Sequence, residues 1–501
     1  MTKSFSLISQ PWIPVTGFDK KSLREIFSTP FPSIGGNPIE QISIFKLLLA
    51  IAQSAITPKD EKDWLSLTAE GLAAKTLEYL HDHENNFDLY GTTPFLQMPQ
   101  VASIPPKPFA VVISEIASGN TTVLTQTQTI RNYTDAELAL YLVTMQNFAF
   151  GGKKTDNSLI LTKGYNGKSK SGKPACSLEQ SGLLHTYVQG QDIWETLWLN
   201  LWTENQLQTE KARALFPSGK GRAAWEKMPT GEDCSTAKLL RSSLLGRLVP
   251  LCRFCLIENQ DIHLTEGIQY PSSKDHVFDT TVSITLGDKP KVLIVNPMKR
   301  PWRELTAILS TVQTQPTLYC AQLSIFNHHC RTLLNSNHQH LFKNVRFWSG
   351  GIRVSNKAGE QFVSGSDDYV ASSFKLSLQE LCESAWYSLF CEEIHWLNVK
   401  AKKLERCIHS YCEDMKLDTA ITKLGENLFW TKVETLCQNI IDACAEKNHF
   451  EQQRAIKKIH LKVSEILANI YSDLCPYNTS RQLMSWTKFY PNFSPAGKRK
   501  L

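Results

Sequence analysis

LQELCESAWYSLFCEEIHWL, residues 378–397, places Leu378, Leu381, Cys382, Ala385, Trp386, Leu389, Phe390, Ile394 and Leu397 at steps of three and four. That spacing gathers side chains on one face of an α-helix, as a buried stripe requires. It returns in Phe429, Val433, Leu436, Cys437, Ile440, Ile441 and Cys444, and again in Ile456, Ile459, Val463, Ile466, Leu467, Ile470 and Leu474, where Pro476 stops it. With a shorter helix around Leu404–Tyr411, the pattern predicts a C-terminal four-helix bundle over residues 374–501.

Upstream the character is different. Val282, Ile284 and Leu286 alternate, Gly287-Asp288 is a turn signal, and a β-rich run from Val292 to Val295 completes a predicted hairpin. Helical patterns at Ile193–Trp202 and Trp302–Leu309 flank it. Since 501 residues exceed what one core serves, the expectation is an α+β protein: a large irregular mixed α/β N-terminal domain, 1–373, followed by the helical bundle. No internal repeat is evident.

Apolar residues make up 42% of the chain and charged residues 20%, which excludes disordered and fibrous classes. The richest apolar stretch, Ile42–Ile56, is interrupted by Lys46 and Gln53 and is too short for a bilayer, and the N-terminus lacks a signal-peptide pattern. Thirteen cysteines without framework spacing fit reduced thiols. The expectation is a cytoplasmic protein with no membrane partner.

A net charge of +6 says little until its distribution is known. Lys153, Lys154, Lys163, Lys168, Lys170 and Lys173 alternate with Gly151, Gly152, Gly164, Gly167 and Gly172, opposed locally only by Asp156. This predicts a mobile basic loop after a helix ending near Phe148. On the last long helix Arg454, Lys458 and Lys462, with Lys457 alongside, share a polar face suited to phosphates or simply to water.

No catalytic constellation stands out in the sequence. His81-Asp82-His83 lacks the further ligands of an HD-type metal site. His328, His329 and Cys330, with His338 and His340, have no tetrahedral spacing, and Cys252 and Cys255 form a Cys-x-x-Cys without a second pair. Phosphate-loop, dinucleotide and nucleophile-elbow motifs are missing. The expectation is a non-enzyme with no metal and no cofactor.

Several separated segments, in order, resemble the CasA-type large-subunit family of type I-E CRISPR Cascade complexes. They are Pro11-Trp12-Ile13-Pro14-Val15, Pro94-Phe95-Leu96-Gln97, Ser118-Gly119-Asn120-Thr121-Thr122, Phe150-Gly151-Gly152-Lys153, Tyr187-Val188-Gln189-Gly190 and Gly350-Gly351-Ile352-Arg353-Val354-Ser355-Asn356-Lys357. The resemblance covers essentially the whole chain. It implies a subunit that reads the motif flanking a target in double-stranded DNA from the minor groove, helps open the duplex for guide pairing, and recruits a separate helicase-nuclease. Its implied partners are the guide RNA 5′ handle, target DNA and the other Cascade subunits.

Residue by residue, it implies a flanking-motif loop at Gly151, Gly152, Lys153 and Lys154, where glycine lets backbone approach a groove floor and lysines meet phosphates. It implies a wedge hairpin at Gly350, Gly351, Arg353, Asn356 and Lys357. An RNA-handle loop falls at Asn120, Thr121, Thr122, Thr125 and Gln126, whose hydroxyl and amide groups suit 2′-OH and backbone contacts. Three departures stand out: Asn356 and Lys357 where the family often carries a wedge glutamine, Gln260 (with Asn259 and Lys274 nearby) where it carries a lysine, and Thr125 at an aromatic position. Two alternatives remain: a Cascade variant coupled to a transposase or a fused nuclease, and a stand-alone metal-dependent nuclease using His81, Asp82 and the His328 cluster.

Overall fold

The computed structural model describes residues 3–114, 131–170, 172–297, 301–313, 316–335, 344–355, 369–377, 381 and 384–491. The chain divides into two compact units, Met1–Pro301 with Thr314–Ser373, and Trp302–Gln313 with Phe374–Leu501. The segment 302–313 lies inside the 1–373 range yet belongs to the second unit. The Trp302 ring meets Trp430 at 5.5 Å, the Arg303 guanidinium stacks 3.9 Å over Trp430, and Tyr387 Oη donates to Thr306 O at 2.8 Å. Periodicity identifies such a helix but not the core it joins.

The first unit is built around α1, Pro38–Ala55, buried on nearly every side. This is the apolar stretch of the sequence, and its two polar interruptions are internal ties. Gln53 Nε2 donates to Trp202 O at 3.0 Å while its Oε1 accepts from Trp202 N at 2.9 Å. Lys46 is fully buried, 2.5 Å from Asp279 and 2.9 Å from Ser177 Oγ. Helix α2, Glu61–Asp82, and α3, Asp135–Phe148, pack on α1.

The predicted hairpin forms around Gly287, with Thr285 N donating to Lys291 O and Leu293 N to Ser283 O, both at 2.9 Å. Two small sheets position the site. One orders β1 (His185–Gln189), β4 (Asn344–Ile352) and β5 (Tyr369–Ser377) with β4 in the centre; in the other, β2 (Arg253–Glu258) and β3 (Asp261–Glu266) form an antiparallel hairpin, and Lys107–Pro108 lies on the free edge of β3. The quoted Gln97 is a brace for this hairpin: its Oε1 accepts from Ile257 N and its Nε2 donates to Leu89 O, both at 2.7 Å.

In helix α4, Ala321–Leu334, His329 is a core residue. Its ring stacks on Trp64 at 3.9 Å, Nε2 lies 2.8 Å from Leu201 O, and Nδ1 has no hydrogen-bond partner among the described residues. Burial holds its imidazole down at about 3. The unfolded chain takes up this proton near pH ~6.5, so His329 contributes stability fully above that pH and loses it as pH falls toward its folded value. His329→Phe keeps a stacking ring and is expected to flatten the acid limb of the stability curve by about 1.4 kcal/mol per pH unit. Glu195, pushed up to about 7 by burial, acts with opposite sign in the same window, so the difference between variant and wild type isolates the histidine. Urea denaturation across mildly acidic pH reads it; parallel slopes for both proteins would refute the assignment.

The second unit contains α5 (Ser384–Met415), α6 (Ala420–Glu434), α7 (Cys437–Ala445), α8 (His449–Leu474) and α9 (Ser480–Phe489). The first two expected helices are one, because residues 398–403 contain no breaker and Ala401 and Leu404 continue the buried stripe. The second stripe is divided at Thr435-Leu436 between α6 and α7, and α8 ends before Pro476 as expected. Helix α9 was not foreseen, although Thr479 and Gln482 spell its capping box.

Candidate nucleic-acid interface

A capping box at Thr134 and Glu137 starts α3, and the helix ends at Phe148, delivering the chain to Gly151 and Gly152. Gly152 has φ +100, a left-handed backbone that a side chain would oppose, and Lys154 N donates to Gly152 O at 2.9 Å. Lys153 therefore stands at the apex of a tight turn, and it is exposed. Lys154 does otherwise. Its ammonium is buried 4.9 Å over the Phe150 ring, and its carbonyl accepts from Lys107 Nζ at 2.8 Å. Of the two lysines expected to meet phosphate, the turn presents one.

Instead of hanging free, the loop is tied to β2 and β3 by carboxylates remote in sequence. Lys168 is a buried ion pair with Glu232 at 2.8 Å and donates to Thr265 Oγ1 at 2.8 Å. Glu232 also accepts from Leu161 N at 3.2 Å and Thr162 N at 2.8 Å. Burial raises the Glu232 carboxyl, but Lys168 and these amides outweigh it and hold it below the usual range. The exposed cations of the loop are Lys153, Lys163, Lys170 and Lys173.

At the neck of the loop stands a cross-strand pair, Arg253 on β2 opposite Glu266 on β3. The buried Arg253 guanidinium donates to Phe150 O at 3.0 Å, Lys173 O at 2.6 Å and Cys252 O at 3.0 Å. Glu266 accepts from Ser169 N at 2.9 Å, Ser169 Oγ at 3.2 Å and Lys173 N. One residue supplies donors and the other acceptors, so together they clamp both stems. Neither was singled out from the sequence; Arg253 inside Cys252–Cys255 and Glu266 before Gly267 carry no motif of their own.

Gly350 and Gly351 are not part of an exposed tip. Both are buried in β4, Gly350 opposite His185 of β1. A Cβ on Gly350 would stand 2.8 Å from Val370 O, and one on Gly351 2.5 Å from Leu183 O, so these glycines let neighbouring backbone approach. Arg353, just beyond β4, is half-buried. Asn356 and Lys357 lie outside the described residues, as do the RNA-handle candidates Asn120, Thr121, Thr122, Thr125 and Gln126.

Gln260, at the expected lysine position, is committed internally: its side chain accepts from Tyr133 N at 2.7 Å and donates to Tyr133 O at 3.0 Å. Asn259 and Lys274 are exposed, and Lys274 Nζ donates to Gln180 Oε1 at 2.8 Å. Arg454, Lys457, Lys458 and Lys462 are all exposed along α8. Carboxylates temper that face. Lys458 and Lys462 line a groove of about 340 Å³ together with Asp442, Glu446 and Glu451, and Arg454 lies 3.7 Å from Glu451.

Among the described residues no group of three or more His, Cys, Asp or Glu side chains is disposed to hold a metal ion. Cys255 packs against Gln146, while the Cys252 sulfur is 3.8 Å from that of Cys176, so the Cys-x-x-Cys does not act as a pair. His81 and Asp82 are exposed at the end of α2. No helix among the described residues is long and apolar enough to cross a membrane.

The family model of CRISPR-associated protein Cse1 matches residues 6–470. The chain belongs to the Cse1 family. The CasA-type resemblance read from its motifs is thereby borne out, since the CasA/Cse1 protein of Thermus thermophilus is 31% identical over 218 residues, 40% of this chain and 40% of that relative's length. The Cse1 fold extends further than that alignment. The crystal structure of Thermobifida fusca Cse1 superposes with a TM-score of 0.74 at 17% identity, covering 97% of each chain. A chain of a CRISPR RNA-guided surveillance complex in a pre-nicking state gives 0.60 at 14% identity, covering 98% of each. The mixed α/β body with C-terminal helices is the architecture of these Cse1 structures.

Proposed function

We propose that this Cse1-family chain is the large, non-catalytic subunit of a cytoplasmic type I-E Cascade complex. In this reading it recognises the motif flanking a target in duplex DNA from the minor groove, helps open the duplex so that guide RNA can pair, contacts the guide's 5′ handle, and offers a platform for a helicase-nuclease. The observation that carries it is the turn at Gly152, next to the buried Gly151, which combines a side-chain-free backbone, an exposed Lys153 at its apex, and stems clamped by Arg253 and Glu266. A rigid, narrow, positively charged turn suits a groove whose floor offers few distinguishing groups. Exposed Lys163, Lys170 and Lys173 on the same loop add a phosphate-directed field that weakens as salt rises.

The test is binding of matched-target duplex with a randomised flanking motif to a guide complex reconstituted with and without this chain. Motif selectivity is expected only with the chain; equal selectivity without it removes the proposal. Lys153→Ala is expected to lower affinity for all flanking motifs alike and to reduce the salt slope by about one charge. Lys154→Ala should leave the slope unchanged, because its ammonium is turned inward. Equal slope changes in the two variants would show that Lys154 swings out to DNA.

A further inference from the structure

We propose that Cys176 and Cys252 form a peroxide-sensitive dithiol, a modification site that closes into a disulfide and staples the C-terminal stem of the glycine–lysine loop to the start of β2.

The two residues are 76 positions apart in the chain, yet their sulfurs stand 3.8 Å from each other. A disulfide needs the sulfurs near ~2 Å, so closure requires a displacement within the reach of side-chain rotation and small backbone adjustment. The pair is also reachable. Both cysteines line a cavity of about 830 Å³, together with Lys173, Arg253, Tyr270 and Lys274. Cys176 is half-buried and Cys252 buried, and a small oxidant that enters the cavity meets the wall to which both belong. Other cysteines differ in setting: burial raises Cys255, Cys320 and Cys437 to about 12, which keeps them as inert thiols.

Charge divides the roles between them. The neighbouring Cys252 sulfur, and then burial, push the Cys176 thiol up. Burial acts against the Cys252 thiolate too, but the Cys176 sulfhydryl and the positive charges of Arg253 and Lys46 outweigh it, and Cys252 is displaced downward. The Cys252 thiolate attacks hydrogen peroxide, the O–O bond breaks, and Cys252 becomes a sulfenic acid while the departing hydroxide takes the Cys176 proton and leaves as water. The Cys176 thiolate so formed then attacks the Cys252 sulfur, the S–O bond breaks, and the departing hydroxide takes up a solvent proton as the second water. Two thiols are oxidised and one peroxide is reduced; a dithiol reductant reverses the change by exchange.

The location gives the crosslink a consequence. Cys176 follows Ala175, whose N–H donates to Ala149 O at 2.8 Å, and Lys173, whose carbonyl Arg253 holds at 2.6 Å. Cys252 immediately precedes Arg253. A covalent bond between 176 and 252 therefore spans the neck of the loop and restrains Arg253 together with the stem whose Lys173 carbonyl it holds. In a reducing cytoplasm such a bond is transient, as sensor disulfides are.

The experiment treats the reduced full chain with a small excess of hydrogen peroxide, blocks remaining thiols with iodoacetamide, and maps the non-reduced digest by mass spectrometry. The expected result is loss of both thiols at 176 and 252, with their peptides joined at a mass lower by two hydrogens and separated again by dithiothreitol. In Cys176→Ser, the sulfenic acid on Cys252 is expected to persist and to be trapped by dimedone. A Cys252–Cys255 link, or free thiols at 176 and 252 while other cysteines oxidise, would overturn the proposal, and the wild-type map decides this without any variant. Amide exchange at Ala175 is expected to slow in the oxidised chain. Target-duplex dissociation from the guide complex is followed separately: the dithiol chemistry stands or falls on the peptide map, whereas an effect on DNA rests on the loop reading proposed above.

Discussion

Arg253→Ala is expected to lower the stability of the first unit by about 3–5 kcal/mol and to abolish the contribution of the glycine loop to motif selectivity. The buried guanidinium supplies the donors for Phe150 O, Lys173 O and Cys252 O. Each buried carbonyl left without a donor costs about 1–3 kcal/mol. Arg253→Lys is not a conservative test: one ammonium on a flexible stem cannot span both stems of the loop as a planar fork does, so an intermediate loss is expected. Denaturant unfolding measures the first effect, and selectivity for the flanking motif in the reconstituted complex measures the second. A variant with wild-type stability would show that the clamp contributes nothing to the fold; one that is destabilised yet fully selective would detach the clamp from recognition.

Lys46→Met is expected to be of similar size, about 3–5 kcal/mol, because it leaves the Asp279 carboxylate buried without its cation. Asp279 would retain Ser177 Oγ at 2.8 Å, Thr281 N at 3.1 Å and Thr281 Oγ1 at 2.9 Å, with His185 Nδ1 at 3.9 Å. In the wild type, burial would raise the Asp279 carboxyl, but Lys46 and then His185 outweigh it and hold it far below the usual range. Its folded value being depressed, this group contributes stability that is present above its unfolded value near pH ~3.9 and is lost as pH falls. Burial and the Lys46 charge also hold the His185 imidazole down at about 4. Without Lys46, His185 is expected to titrate closer to neutrality, which its NMR pH profile reads directly. Adding Asp279→Asn to Lys46→Met should recover part of the loss; additive losses in the double variant would refute the coupling.

The two residues in these predictions mark the boundary of what a sequence reading reaches. Lys46 is visible as a flaw in an apolar run, and Arg253 as the second residue of a Cys-x-x-Cys. Neither position tells what the charge will meet, since Asp279, Phe150 and Lys173 lie far away along the chain. The same limit holds at Gly350 and Gly351. A Gly-Gly pair does not tell in sequence what approaches it; strand pairing reveals that its missing side chains make room for Leu183 O and Val370 O. It also explains why a loop with one local carboxylate is in fact anchored by Glu232 and Glu266.

By itself the sequence determined what depends on periodicity and order. It specified a mixed α/β body, a helical C-terminal region whose buried stripes recur every three or four residues, the hairpin around Gly287, the family, and a glycine–lysine segment placed after a helix. These are local properties, carried by spacing along the chain. The tertiary structure alone decided that residues 302–313 join the second unit, that Lys153 faces outward while Lys154 turns in, and that Cys176 meets Cys252. It alone set Arg253 and Glu266 together at the neck of the loop. The reason is physical: burying a stripe needs only the right period, whereas satisfying a buried donor or charge needs one particular partner, and the fold brings that partner from a part of the chain that no spacing rule connects to it.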